Sequence, residues 1–265
     1  MRKKYNTNHT FAVCAYKKSK YLEQCVKSLV EQTVPTNVII CTSTPSDFIK
    51  DIATKYDIPY YVRDGKSDIQ DDWIFACEKA ETDWITVAHQ DDKYNRRYVE
   101  NMLAKIKTDE DALMYMSGYA PIKNGQVSTD INCKIRRFLR TPMKWNCCSA
   151  SIFWKKRILC LGNSICCPSV TYNAKRIGLP IFTSEYKFNL DWDTYLKLAK
   201  MKGRFLYTDK PLTYYRVHEE ATTAEFIQDN GRYREDTIMF NKFWPQFISK
   251  IIMIFYTYAY KTYSE

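Results

Sequence analysis

Asp91 and Asp92 stand side by side after the apolar run Trp84 to Ala88 and the pair His89-Gln90. If that run is a buried strand, the two carboxylates lie at its carboxyl end, where α/β sheets gather their ligands. Adjacent carboxylates there can hold a hard divalent cation and a ribose hydroxyl, and the cation can neutralise a diphosphate leaving group. The same residues could instead cap the next helix, whose N-terminus favours negative charge. The spacing fits both uses. Further along, Asp191 opens an amphipathic helical pattern, and Arg216 and His218 follow a pair of short apolar runs.

The elements that must position these residues are legible from periodicity. Thr10 to Ala15, Asn37 to Cys41, Pro59 to Val62 and Trp84 to Ala88 predict buried strands. Helical patterns between them run from a Ser19 cap through Gln32, from Asp47 to Tyr56 and from Ile69 to Ala80. This alternation predicts a parallel, doubly wound α/β sheet. A helix from Tyr94 to Lys107 follows, and Ala112 to Tyr119 and Gln126-Val127 then flank the turn signal Asn124-Gly125. Asn132 to Ser184 shows no readable period. Asp191 to Met201 predicts a helix with Gly203 as its C-terminal cap. Arg204 to Tyr207 and Leu212 to Val217 predict two short strands, and the end of the chain reads as mostly helical.

A strand-ending aspartate pair, a later helix-opening aspartate and a distant Arg-x-His form an ordered series. In this the chain resembles the family 2 glycosyltransferases of the GT-A fold, from Phe11 to about Thr223. The resemblance implies a Rossmann-like, mostly parallel sheet with flanking helices. It implies a GT-A domain over 1–223, with a donor half to about 130 and an acceptor half over 131–223. A C-terminal helical extension would occupy 224–265. The implied activity is inverting, metal-dependent transfer of a sugar from a nucleoside-diphosphate sugar, a UDP-sugar first, to a hydroxyl of a glycan or lipid-linked glycan in surface polysaccharide synthesis.

Carried over residue by residue, the resemblance implies donor contacts at Ala15, Tyr16, Ser43, Asp72, His89, Gln90, Asp91 and Arg216. It makes Asp92 a ligand of Mn2+ or Mg2+, joined by His218, and Asp191 the general base. Arg136, Arg137, Arg140, Cys148 and Ser149 fall in its acceptor region. Gln32-Thr33 matches the usual end of the first helix. Asp71 and Trp73 share the Asp72 region, where helix capping is the other use of the carboxylates. The chain departs from the family pattern at three places. His89 replaces the first motif aspartate, Leu190 stands where a Glu usually precedes the base, and no acid follows the second strand over Cys41 to Ser46.

Net charge is +10 and unevenly placed. No Asp or Glu occurs from Ile131 to Ser184, while Lys134, Arg136, Arg137, Arg140, Lys144, Lys155, Lys156, Arg157, Lys175 and Arg176 do, equalling the whole excess. A single-sign stretch implies an anionic partner, and a phosphate-bearing acceptor suits its place between the donor turn and Asp191. A basic nucleic-acid-binding module with Tyr and Trp platforms accounts for the cations but not for the ordered aspartates, so no nucleic acid is expected. Nucleotidyl transfer would bring a glycine-rich phosphate loop that the chain lacks. A non-catalytic nucleotide-sugar-binding homologue would keep the same motifs.

The ten cysteines are expected to be free thiols in a reducing, cytoplasmic setting. Cys147-Cys148 and Cys166-Cys167 lack the C-x2-C spacing of zinc sites. The basic start, Met1 to Asn6, is not followed by the apolar stretch of a signal peptide. Phe247 to Tyr260 is apolar and aromatic but too short to span a bilayer. It is expected to pack on the core, to pair with a second subunit in a homodimer, or to rest peripherally on the inner face of the cell membrane.

Overall fold

The computed structural model describes residues 5–129, 131–217 and 231–258. The strands are β1 (His9–Ala15), β2 (Asn37–Thr42), β3 (Tyr60–Val62), β4 (Trp84–His89), β5 (Lys93–Tyr94), β6 (Ala112–Lys123), β7 (Gln126–Val127), β8 (Val170–Asn173) and β9 (Arg204–Arg216). Around them lie α1 (Leu22–Val30), α2 (Asp47–Lys55), α3 (Ile69–Lys79), α4 (Tyr98–Ile106), α5 (Ile131–Arg140), α6 (Asn146–Ala150), α7 (Ile152–Arg157), α8 (Ala174–Ile177) and α9 (Leu190–Lys200). Near the C-terminus lie α10 (Gly231–Asn241) and α11 (Gln246–Tyr258).

The first strands read as continuous apolar runs because both faces of the sheet are covered. Successive side chains leave the pleat on opposite sides. Phe11, Val13, Val38 and Ile40 therefore pack with Leu22, Val26, Ile49 and Val99 on one face. Ala12, Ile39, Ile85 and Val87 pack with Trp73, Cys77, Tyr195 and Leu196 on the other. Met239, Phe240 and Met253 of α10 and α11 complete this second core.

Strand order is β3-β2-β1-β4-β8-β6-β9-β5, with β7 paired to β6. β1 is parallel to β2 and β4, β2 to β3, and β6 to β9. β8 runs antiparallel between β4 and β6, so their carboxyl ends open on the same edge. The mostly parallel sheet is therefore as expected, and β1 lies at the point where the strand order reverses. Gly118 sits at a register shift between β6 and β9. A Cβ there would come within 2.6 Å of the Asp209 carbonyl oxygen, so only glycine lets the strands approach.

Several expected elements differ. The first helix begins at Leu22, not Ser19, and ends at Val30. Gln32 is instead a buried clasp, donating to the Ser28 and Asn95 carbonyls and accepting from Val99 N–H. The helix expected from Tyr94 starts at Tyr98, because Lys93 and Tyr94 pair with Tyr214 and Thr213 of β9. The two strands expected after residue 203 are one long strand. Gly203 has φ +136° near the Asp111 carbonyl, whereas Met201 is the α9 C-cap. The stretch with no readable period is largely short helices joined by turns.

Candidate active site

β4 ends at His89 and turns at once, Asp92 N–H donating to the His89 carbonyl at 3.2 Å. Because β5 follows and α4 is capped by Arg97, the Asp91-Asp92 pair caps no helix. The carboxylates are left at the sheet edge. Asp92 is buried, 5% exposed. Its Oδ1 accepts the backbone N–H of Arg216 at 2.9 Å, and its Oδ2 lies 3.8 Å from His89 Nδ1, beyond hydrogen-bond length. Burial pushes the Asp92 carboxyl well above the usual range and the Asp91 charge adds to this, while the Arg216 N–H and guanidinium oppose it. A buried carboxylate beside a second one is a place where an added cation gains most.

Arg216 reaches the turn from the carboxyl end of β9. Its Nε donates to the Asp91 carbonyl at 2.9 Å, its second guanidinium nitrogen to Gln24 Oε1 at 2.8 Å, and the guanidinium lies 4.1 Å from the centre of the Tyr21 ring. The arginine is thus held over the turn by strand, helix and aromatic face. His89 stacks on Trp73 with centroids 5.3 Å apart. Burial lowers its pKa against the pull of Asp91, so the imidazole is neutral near pH 7, and among the described residues its buried Nε2 has no hydrogen-bond partner. The residue that replaces the family's aspartate is therefore a neutral stacked ring.

Gln90 bonds the backbone of the first strand's end. Its side-chain amide accepts Tyr16 N–H at 2.9 Å and donates to the Tyr16 carbonyl at 3.0 Å, extending the β1–β4 pairing past the strand ends. Ala15 is buried, and the Tyr16 ring is exposed at the edge. Asp72 is likewise engaged. It accepts from Ser43 Oγ at 2.9 Å, Ser67 Oγ at 3.0 Å and Arg63 Nε at 2.7 Å. This cluster ties the end of β2 and the loop after β3 to the first turn of α3, while Asp68 does the capping. Arg63 and Ser67 carry no sequence signal of this role beyond lying just after an apolar run.

Asp191 stands in the first turn of α9, half-buried. Its Oδ1 accepts Trp192 N–H at 2.7 Å and its Oδ2 accepts from Asn163 Nδ2 at 2.8 Å. Burial raises its pKa to about 6 although both bonds oppose the shift, as does the charge of Arg136. The turn leading into α9 is gripped from α10. Glu235 accepts the backbone N–H groups of Lys187, Phe188 and Asn189 at 2.9, 2.8 and 2.8 Å, and Asp236 accepts from Asn189 Nδ2 at 2.8 Å. Periodicity finds neither Asn163 nor Glu235, because each acts across a tertiary contact.

The Cys166-Cys167 pair lies within electrostatic reach of these acidic groups. Burial raises the Cys167 thiol first, and the charges of Asp191 and Asp92 both add. Cys166 is raised in the same way by burial and then Asp92, with Arg136 and Arg140 opposing. Cys167 thus feels the charge of both acidic groups, and Cys166 that of Asp92 and of the Arg136 and Arg140 cations.

The expected acceptor cations separate. Arg136 is partly exposed and its charge acts on Asp191. Arg137 is bound bidentately to Asp209 at 2.9 and 2.6 Å, with Lys144 and Tyr207 on the same carboxylate. Burial opposes ionisation of Asp209, but these bonds hold its pKa far below the usual range. Arg140 is buried, bonded to the Ser164 carbonyl, with the Tyr119 ring centre 4.4 Å away. Lys155 is fully buried and donates to the Met201 and Gly203 carbonyls, both at 2.7 Å. Ser149 is buried, donating to the Asn146 carbonyl, and Cys148 packs on the core. The single-sign stretch is therefore not a uniform basic surface, since it meets acids and carbonyls from other parts of the chain.

Could these residues hold a divalent cation? The buried Asp92 carboxylate and the adjoining Asp91 supply hard oxygen donors of the right charge. Among the described residues no three His, Cys, Asp or Glu side chains converge, so the remaining ligands would come from the donor phosphates, water and residues outside those described. His218 lies outside the described residues.

No curated protein sequence matches the chain. Among solved structures, S. aureus TarS 1-349 shares 14% identity at TM-score 0.59, over 92% of this chain and 69% of that one. Its complex with UDP-GlcNAc shares 16% identity at TM-score 0.58, over 92% and 70%. The mannosyltransferase PcManGT from Pyrobaculum calidifontis, in complex with GDP-Man and Mn2+, shares 15% identity at TM-score 0.64, over 90% and 64%. The chain spans about two thirds of the length of these structures, and at such identities they share its fold. The model of the family described as Glycosyl transferase family 2 matches residues 10–159, more than half of the chain. With the mostly parallel sheet and the aspartate turn at its carboxyl edge, that match makes the chain a member of glycosyl transferase family 2, with the GT-A fold.

Proposed function

We propose that the chain transfers a sugar from a nucleoside-diphosphate sugar to a hydroxyl of a glycan or lipid-linked glycan, by one displacement with inversion. The observation that carries this reading is Asp191, a half-buried carboxyl in the first turn of α9, held by Trp192 N–H and Asn163, with its pKa raised to about 6. A carboxylate poised near the working pH is suited to take a proton from an acceptor hydroxyl. The acceptor oxygen forms its bond to the anomeric carbon as the bond from that carbon to the diphosphate breaks. The electron pair leaves with the nucleoside diphosphate, and the proton passes to Asp191.

Asp92 would ligate Mn2+ or Mg2+, which when bound neutralises charge on the leaving diphosphate. Arg216 and Asp91 would contact the donor from the same edge, and Arg136 would meet an anionic acceptor. UDP-sugars are the first donors to compare, with GDP-sugars second, because solved structures of similar fold hold UDP-GlcNAc and GDP-Man. The testing experiment is a thermal-shift panel of uridine, thymidine and guanosine diphosphates with and without Mn2+. A cation-dependent stabilisation by one base supports the reading. Stabilisation by generic RNA or DNA, with none from any nucleoside diphosphate, would replace it with a nucleic-acid-binding role.

A further inference from the structure

α11 has two apolar faces, and among the described residues only one of them is covered. Met253 is 2% exposed and Tyr256 packs on Phe240, closing the second core. On the opposite side Phe247, Ile251, Ile254 and Phe255 are 66, 54, 62 and 72% exposed. Their spacing of four, seven and eight residues is that of one helix face. The neighbouring surface continues this character. Trp244 Nε1 donates to the Cys160 carbonyl at 2.7 Å and Tyr256 closes on Gly162, so α11 lies against the loop that follows α7. On that loop and helix Ile152, Phe153 and Leu161 are exposed by 40% or more.

The charges of this face have one sign. Arg157 and Lys250 are exposed beside the apolar side chains, and no Asp or Glu occurs from Thr237 to Ser264 or from Ile131 to Ser184. Among the described residues no helix is long and apolar enough to cross a membrane. Aromatic and aliphatic side chains rimmed by Lys and Arg, without acids, match the interface of an anionic bilayer: rings enter at headgroup depth and cations meet lipid phosphates.

We propose that the face built by α7, its following loop and α11 docks on an anionic lipid bilayer. The consequence for function is orientation. Lys155 of α7 holds the carbonyls at the end of α9, the helix that carries Asp191. A docked face therefore sets the base at a fixed distance from the membrane. Docking of this face does not depend on which sugar donor the site takes.

The test is co-sedimentation of the full chain with vesicles of phosphatidylcholine containing about one third phosphatidylglycerol, against phosphatidylcholine alone. We expect binding to the anionic vesicles, weakened ~10-fold or more in a Phe247→Ser/Phe255→Ser variant and several-fold by Lys250→Glu. Because these side chains are exposed, thermal melting should be unchanged, which separates lost docking from lost folding. Wild-type protein that stays in the supernatant with both vesicles overturns the proposal. So does a double variant that binds as tightly as wild type. Sedimentation equilibrium showing a dimer that the double variant abolishes, with no vesicle binding, would assign the face to a second copy of the chain instead.

Discussion

Arg216 and Asp92 are joined across 124 residues of sequence by a 2.9 Å bond from the arginine's backbone N–H to Oδ1 of the carboxylate. The bond fixes the turn after β4 to the carboxyl end of β9, and it uses the backbone, so the guanidinium is left to work on Asp91, Gln24 and Tyr21. Asp92→Asn keeps an acceptor for that N–H and removes the charge. We expect normal melting but loss of cation-dependent donor binding and a fall in kcat of ~100-fold or more. Arg216→Ala keeps the backbone bond, and a fall of ~100-fold in kcat/KM is expected from the lost guanidinium. Isothermal titration with nucleoside diphosphate, with and without Mn2+, and steady-state kinetics check both.

The raised pKa of Asp191 predicts the acid limb of the rate profile. A base must be ionised, so kcat/KM should rise with pH through about 6 and level off above it. Asn163→Ala removes a bond that favours the ionised form, so the limb should move to higher pH. The native state also holds this proton more tightly than the unfolded chain. Ionised Asp191 therefore costs stability, and wild type should lose stability relative to Asp191→Asn as pH rises from 3.8 to about 6. Rate profiles and urea melts across that window measure the two effects.

Glu235 grips three successive backbone N–H groups just before the helix that carries Asp191. It acts on the base through the backbone that leads into α9. Glu235→Ala should lower stability by ~1 kcal/mol or more, from three donors left unmet of which Asn189's is in a buried residue, and reduce kcat while nucleotide affinity stays near wild type. Glu235→Gln, which keeps one strong acceptor, should recover part of the kcat. A change in donor affinity equal to the change in kcat would contradict the positioning role.

Lys155 is a fully buried cation whose pKa burial lowers to about 8. Its amine caps the end of α9 at two carbonyls, so Lys155→Met should destabilise by ~1–3 kcal/mol despite its better hydrophobic fit. With a folded pKa below its unfolded value, the native state releases this proton first. Wild type should gain stability relative to Lys155→Met between pH 8 and 10.5. Thermal melts at both ends of that range test it.

The first strands and helices are legible because their signals are local. β1 to β4, α2 and α3 follow from periods within single segments, and the Asp91-Asp92 turn follows from its place after β4. Tyr94 was not legible as a strand, because its two-residue β5 exists only by pairing with β9. The partners within the basic stretch are hidden for the same reason. Arg137 and Lys144 meet Asp209, which lies far along the chain, and Arg140 meets Ser164 and Tyr119 in the core. Gln90, expected at the donor, is spent on the backbone of Tyr16. Asn163, Arg63 and Glu235 gain their roles only when distant elements close on them.

Release of nucleoside diphosphate from UDP-sugars, followed with and without Mn2+ for wild type and Asp191→Asn, is the most direct test of the central claim. Wild type should release the diphosphate only when the cation is present. Asp191→Asn should still bind uridine diphosphate with near wild-type affinity but release almost none from the sugar donor. Turnover retained in Asp191→Asn would remove that residue from the base role, and binding without turnover in wild type would make the chain a nucleotide-sugar-binding protein rather than an enzyme.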